Sequence, residues 1–195
     1  MDTDIFILLL RESGNMTHRE LLKLLVENNI EFVVIGGVAL RLYNSPRVTH
    51  DIDIAARTLD LDNIIALMYS RSYYLVTGVQ EENVFIALNS KEAGQWVEQT
   101  KAGSISFVLL YKTPDQRKVP MGNIDTSSQV DILFELGIPI MRLKEHARII
   151  QLQDVSFPVA SIEDLITLKE QRTDKSPADE DDIRYLNSIK GTLIE

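Results

Sequence analysis

Between residues 31 and 55 the chain reads as strand, paired glycines, helix and second strand, and that second strand carries two acids two positions apart. Glu31 to Ile35 is apolar and rich in β-branched residues, Gly36-Gly37 breaks it, and Val38 to Tyr43 is helix-like. His50 to Ala55 then alternates Asp51 and Asp53 with Ile52 and Ile54. Period-two alternation makes a strand with two unlike faces, so both aspartates project from one side, their Cα atoms roughly 6 to 7 Å apart. Carboxylates at that spacing repel by about 2 kcal/mol at an effective dielectric of 20, before any cost of burial. A cation between them removes the penalty. The competing account is an exposed edge strand with polar residues at alternate positions.

A third acid strengthens the cation account. Asp131 opens a second apolar strand, Val130 to Leu136, where it has no packing reason to be; capping a turn is its alternative role. If the two strands lie side by side, Asp51, Asp53 and Asp131 converge and become both candidate catalytic residues and candidate metal ligands. The 195 residues include no cysteine, which excludes disulfides, thiol nucleophiles and thiolate metal sites. His18, His50 and His146 are too scattered for a metal site and read as surface or structural residues. Oxygen ligands favour Mg²⁺ or Mn²⁺, which complete their shells with water and substrate phosphates. Three acids can hold two such ions about 3.5 to 4 Å apart, the arrangement used for in-line phosphoryl displacement. Gly36-Gly37 sits where small residues let a phosphate approach backbone N–H groups at a helix N-terminus, although it could also serve only as a tight turn.

The rest of the chain is read from periodicity. Thr17-x-x-Glu20 is a capping box ahead of Leu21, Leu24 and Leu25. Leu59 to Arg71 is an amphipathic helix, and Tyr73 to Val76, Val84 to Leu88 and Ile105 to Tyr111 are strands. Two long connections are expected, Asn89 to Gly103, which holds Trp96, and Lys112 to Ser128. Trp96 is read as a loop anchor, with base stacking the alternative. Leu143, Ala147 and Ile150 mark a helix, Val155 to Val159 a strand, and Ser161-x-x-Asp164 caps a helix reaching Gln171. A last helix, Asp179 to Ile189, follows Pro177, its leading acids favourable at an N-terminus. Strands and helices interleave, which predicts an α/β (α+β) fold: a mixed sheet flanked by helices with a helical C-terminal portion. The expected division is a core over residues 1–160 and a helical segment, 161–195, packed on it.

The motifs Ile35-Gly36-Gly37, Asp51-Ile52-Asp53-Ile54 and Val130-Asp131-Ile132-Leu133 together resemble the nucleotidyltransferase superfamily that includes DNA polymerase beta and the aminoglycoside nucleotidyltransferases. More narrowly, Gly36-Gly37-Val38-Ala39-Leu40 followed by Arg47-Val48-Thr49-His50-Asp51-Ile52-Asp53 is similar to the abortive-infection toxin-like nucleotidyltransferases. So is the late segment from Asp164-Leu165-Ile166 through Lys169 and Arg172 to Tyr185-Leu186. The resemblance implies a nucleoside triphosphate donor, Mg²⁺, and transfer of a nucleoside monophosphate to a hydroxyl or phosphate acceptor with release of pyrophosphate. It also implies phosphate contacts from the second glycine position and from Lys169. The candidate nucleotide-binding residues are therefore Gly36, Gly37, Arg47, Thr49 and Lys169. Arg47 either binds phosphate or pairs with an acid, Thr49 reads as a structural hydrogen bonder, and Lys169 has Glu163 and Glu170 as possible surface ion-pair partners. Gly37 departs from the serine that many superfamily members carry, and the acids of 174–182 lie farther from Arg172 than the resemblance implies.

The formal charge of -9 makes nucleic acid a conditional partner, because an acidic surface repels phosphate backbones unless a local basic patch reverses the field. An RNA acceptor requires Lys91, Lys101, Lys112, Arg117 and Lys118 to gather beside the site; a protein or small-molecule acceptor does not. The resemblance raises a toxin that modifies transfer RNA or a protein, with an antitoxin partner. The alternative is a catalytically inactive module of the same fold that binds nucleotide or regulates. Acids precede the short apolar run Ile5 to Leu10, and no stretch approaches the about 20 apolar residues of a spanning helix, so no membrane role and a cytoplasmic location are expected.

Overall fold

The computed structural model describes residues 17–191. The apolar run Ile5 to Leu10 lies outside these residues. Helix α1, His18–Glu27, starts on the expected capping box, with Thr17 accepting from the Glu20 backbone and Glu20 answering the Thr17 backbone, and buries Leu21, Leu22 and Leu25. Strand β1, Phe32–Ile35, is buried at all four positions. It passes directly into α2, Gly36–Leu42, without an intervening loop, because Gly36 takes φ +64°, a conformation costly for any residue with a Cβ. Strand β2 is Ile52–Ala56. After a short 3₁₀ turn come α3, Leu61–Ser70, and the antiparallel strands β3, Tyr73–Gln80, and β4, Asn83–Ile86. Helix α4, Ser90–Thr100, leads to β5, Ser104–Leu110, then β6, Lys118–Pro120, and the long β7, Ile124–Leu133. The chain ends with α5, Ile140–His146, a hairpin of β8, Arg148–Leu152, and β9, Val155–Val159, and helices α6, Ile162–Glu170, and α7, Pro177–Ile189.

Among the described residues the strands form one nine-stranded mixed sheet in the order β6-β4-β3-β5-β7-β2-β1-β9-β8. The α/β class expected from the interleaved pattern is the one observed. Strand β2 lies near the middle, antiparallel to β1 and parallel to β7. Its Ile52 and Ile54, with Val130 and Ile132 of β7, are at most 1% exposed and face one side. The main core continues from there to Leu22, Val33, Phe107, Phe157, Leu165 and Leu186, so the last two helices share it with the sheet. No helix of the described residues is long and apolar enough to cross a membrane.

Four local expectations are corrected. Asn89 to Gly103 is not a loop: the Asn89 side chain caps α4 by accepting from the Glu92 backbone, and Trp96 packs from that helix against the core. The connection 112–128 holds β6 and the first five residues of β7. Asp131 is thus the eighth residue of a ten-residue strand rather than the opening of one. The helix through Leu143 stops at His146, and Ile150 belongs to β8, whose hairpin turns at Gln153 with φ 54°.

His18 is 7% exposed, and burial, opposed by the nearby Asp51 charge, holds its pKa down at about 4. A folded value below the unfolded 6.5 means that its contribution to stability is complete above pH 6.5 and is lost as pH falls toward 4. Urea denaturation in EDTA should therefore show about 2 kcal/mol less stability from this residue at pH 5 than at pH 6.5. His18→Leu should remove that part of the pH dependence; the same slope in the variant would refute the assignment.

Candidate metal and nucleotide site

The site is built where β1 turns into α2 beside β2. Ile35 pairs with Asp53 across the antiparallel ladder, which lays the Asp53 side chain directly over Gly36. A Cβ at position 36 would overlap the Asp53 carboxylate, so glycine is required there by space as well as by φ. The Gly37 backbone N–H donates to Asp53. On the other side, β2 and β7 run parallel in a register that places Asp53 beside Asp131. Asp51 lies one residue ahead of β2, and Thr49 Oγ1 donates to its Oδ1 at 2.5 Å. Ser106 Oγ, from β5, donates to Asp131 Oδ1 at 2.5 Å, and Gln129 Nε2 donates to both Asp131 oxygens at 3.1 and 3.0 Å.

The three acids expected to converge do so. One carboxylate oxygen from each of Asp51, Asp53 and Asp131 lies within 4.8 Å of the others. Burial, then the charges of Asp51 and Asp131, push the Asp53 pKa up to about 6, with the Gly37 N–H and Arg172 opposing. Asp131 is likewise raised by burial, against the hydrogen bonds from Ser106 and Gln129. These residues fit a hard divalent cation. Oxygens on one octahedral Mg²⁺ at about 2.1 Å stand roughly 3 Å apart when adjacent and ~4.2 Å when opposite, both inside the 4.8 Å bound on the three carboxylate oxygens. A carboxylate has about four acceptor positions, and the hydrogen bonds to each acid leave some of them open.

A cleft of about 450 Å³ opens beside the acids. Gly36, Gly37, Asp51 and Asp53 line one end, together with the cations Arg47, Lys169 and Arg172; Leu133, Leu136, Leu165 and Leu168 give it an apolar wall. The cations are held by acids of α7. Lys169 Nζ, nearly buried, bonds Asp179 Oδ1 at 2.9 Å and Asp182 Oδ2 at 2.7 Å. Arg47 pairs with Asp182, and Arg172 with Asp179 at 3.0 Å. Lys169 therefore does not pair with Glu163 or Glu170 at the surface; its partners are buried acids ten and thirteen residues on. Asp179 also closes the capping box of α7 with Ser176. Burial opposes its ionisation, yet Lys169 and Ser176 hold its carboxyl below the usual range.

The basic residues that an RNA acceptor requires do not gather here. None of the five lines the cleft. Lys101 precedes β5 and Lys112 follows it, so the length of that strand, roughly 20 Å or more, separates them. Lys118 is in β6 at the far edge of the sheet, and the neighbouring Arg117 is paired with Glu92 of α4.

Comparison with known proteins gives the geometry a family. The model of the AbiEii nucleotidyl transferase toxins, a type IV toxin–antitoxin system, matches residues 21–170, which span the glycine turn, all three acids and Lys169. The chain belongs to the AbiEii family. No curated protein matches it. Among solved structures, the AbiEii-family chain is similar to a lincosamide antibiotic adenylyltransferase bound to lincomycin, with TM-score 0.52 and 14% identity over 90% of this chain and 99% of the other. That likeness is one of fold. A candidate nucleotidyltransferase from Thermotoga maritima aligns with TM-score 0.43 and 17% identity, over 91% of this chain and 99% of its own.

Ser106, Gln129, Asp179 and Asp182 are the site residues that sequence reasoning missed. Gln129 was legible, since it stands two positions before Asp131 on the same strand face. Ser106 was not, because its place depends on the β5–β7 register. Asp179 and Asp182 were recognised as helix-start acids, but one turn apart they also form a pair facing Lys169. The buried clamp in this AbiEii-family chain predicts that Lys169→Met costs roughly 2 to 3 kcal/mol in urea denaturation, because Asp182 and Asp179 keep only their more exposed partners, Arg47 and Arg172. Lys112→Met, at an exposed position, should stay within about 0.5 kcal/mol. Equal effects of the two would contradict the clamp.

Proposed function

We propose that this chain is a cytoplasmic, metal-dependent nucleotidyltransferase that moves a nucleoside monophosphate from a nucleoside triphosphate to a hydroxyl or phosphate acceptor, as the toxin of a toxin–antitoxin pair. The observation that carries the reading is the approach of Asp51, Asp53 and Asp131 within 4.8 Å of one another at the mouth of a cleft lined by Arg47, Lys169 and Arg172. Acids that repel one another beside fixed cations suit a triphosphate, whose charge needs both a divalent ion and fixed positive groups. When bound, Mg²⁺ or Mn²⁺ supplies charge neutralisation on the phosphates and a lowered pKa for the attacking hydroxyl. Asp51, Asp53 and Asp131 hold that ion.

Within this reading Gly36 and Gly37 line the donor cleft at the start of α2 and leave room there for the Asp53 and Thr49 side chains, and Lys169 and Arg172 bind the outer phosphate oxygens. The apolar wall of Leu133, Leu136, Leu165 and Leu168 takes the base and ribose. The acceptor arrives from the Asp131 side, since Asp131 does not line the donor cleft. Its oxygen bonds to the α-phosphorus, the bond from that phosphorus to the bridging oxygen breaks, and pyrophosphate leaves. Asp131 Oδ2, which accepts from Gln129 but not from Ser106, keeps an acceptor position for the proton of an acceptor hydroxyl. The absence of all five basic residues from the cleft lining favours an acceptor other than extended nucleic acid.

Asp53→Asn separates function from stability. The folded pKa of Asp53 lies above its unfolded value, so its charge at neutral pH works against folding when no cation is bound. The variant should melt at a higher temperature than the parent in EDTA at pH 7.5. In an assay with labelled triphosphates, Mg²⁺ and mixed small-molecule, protein and RNA acceptors, it should release pyrophosphate roughly a thousandfold more slowly. Undiminished release would defeat the proposal.

A further inference from the structure

We infer that Thr49 is a positioning residue for the cation site, fixing Asp51 as a metal ligand rather than touching nucleotide phosphate. The inference rests on the metal-dependent reading above. Asp53 and Asp131 are both held by the β2–β7 ladder, where they stand opposite one another. Asp51 is not: it sits in the bend just ahead of β2 and has no ladder partner to set its direction. Its carboxylate is instead tied by Thr49 Oγ1 at 2.5 Å, from a side chain only 5% exposed. A threonine hydroxyl has one proton, and an ionised carboxylate can only accept, so that proton belongs to Asp51. While the bond stands, Thr49 has none left to donate to a phosphate oxygen. Asp51 Oδ2 takes no part in that bond and is left for a cation.

Gly37 is the second half of the arrangement. A Cβ on residue 37 would sit 2.6 Å from Thr49 Oγ1 and 2.8 Å from its Cβ, closer than real Cβ atoms come. The space beside the glycine turn is thus already filled, and what fills it is the threonine that orients Asp51. Any side chain at 37 must displace that threonine.

Calorimetric titration with Mn²⁺ alone, with no nucleotide and no turnover, tests this. Thr49→Val keeps the shape and removes the proton, and should raise the Mn²⁺ Kd about ten- to a hundredfold, while its Tm in EDTA does not fall. Thr49→Ser should stay within about threefold of the parent, since it keeps the hydroxyl. Parent-like affinity in Thr49→Val would overturn the inference, and so would equal losses in Thr49→Ser and Thr49→Val. Those outcomes leave the metal-dependent function standing; a parent protein that takes up no Mn²⁺ at all would sink that function and the inference with it.

Discussion

Three carboxylates gathered within 4.8 Å work against folding, and the local structure around them is arranged to hold them there. The parallel pairing of β2 with β7 sets Asp53 beside Asp131, while the opposite faces of the same strands bury Ile52, Ile54, Val130 and Ile132. A one-residue slip would turn the acids into the core and the aliphatic residues out, so burial on one face enforces charge proximity on the other. Hydrogen bonds then hold each carboxylate: Thr49 on Asp51, the Gly37 N–H on Asp53, Ser106 and Gln129 on Asp131. What the fold does not supply is positive charge between them. A bound divalent ion would supply it.

A second charge system lines the same cleft as Asp51 and Asp53. Arg47, Lys169 and Arg172 are matched with Asp179 and Asp182, both carried by the first turns of the last helix. The acids of α7 therefore dictate where these cations stand. Docking of α7 depends on the same contacts, with Leu186 adding its apolar burial in the main core. In a chain of net charge -9 this keeps three cations at one face of the cleft without a broadly basic surface. Attraction for a compact, highly charged phosphate group follows from such a local arrangement; attraction for a long nucleic-acid backbone does not.

The acidic centre was legible because it rests on short-range signals. Alternation of Asp51 and Asp53 with isoleucine sets direction within one strand, and Gly36-Gly37 marks the turn next to it. Asp131 could be chosen because an acid among valine, isoleucine and leucine stands out. The errors fall where polarity hid regular structure. Asp125 to Gln129 reads as loop by composition, yet it is the first half of a ten-residue strand whose neighbours are set at long range. Asn89 to Thr100 carried a cap and an apolar face at Ala93, Trp96 and Val97, but its polar residues and Gly94 masked the helix. Ile150 fits a helical stripe from Leu143 as well as it fits a strand, and only the hairpin with β9 decides between them. The charge clamp was legible in its members but not in its pairing, since it joins residues 135 positions apart, as in Arg47 with Asp182.

The central claim is that Asp51, Asp53 and Asp131 together form a single cation site. Anomalous diffraction from crystals soaked in Mn²⁺ and a non-hydrolysable nucleoside triphosphate tests it most directly. The account predicts a manganese peak bonded to oxygens of all three aspartates, with the triphosphate running from it toward Lys169 and Arg172. A peak held by other residues, or a nucleotide seated in the cleft with no metal among the three acids, would contradict it.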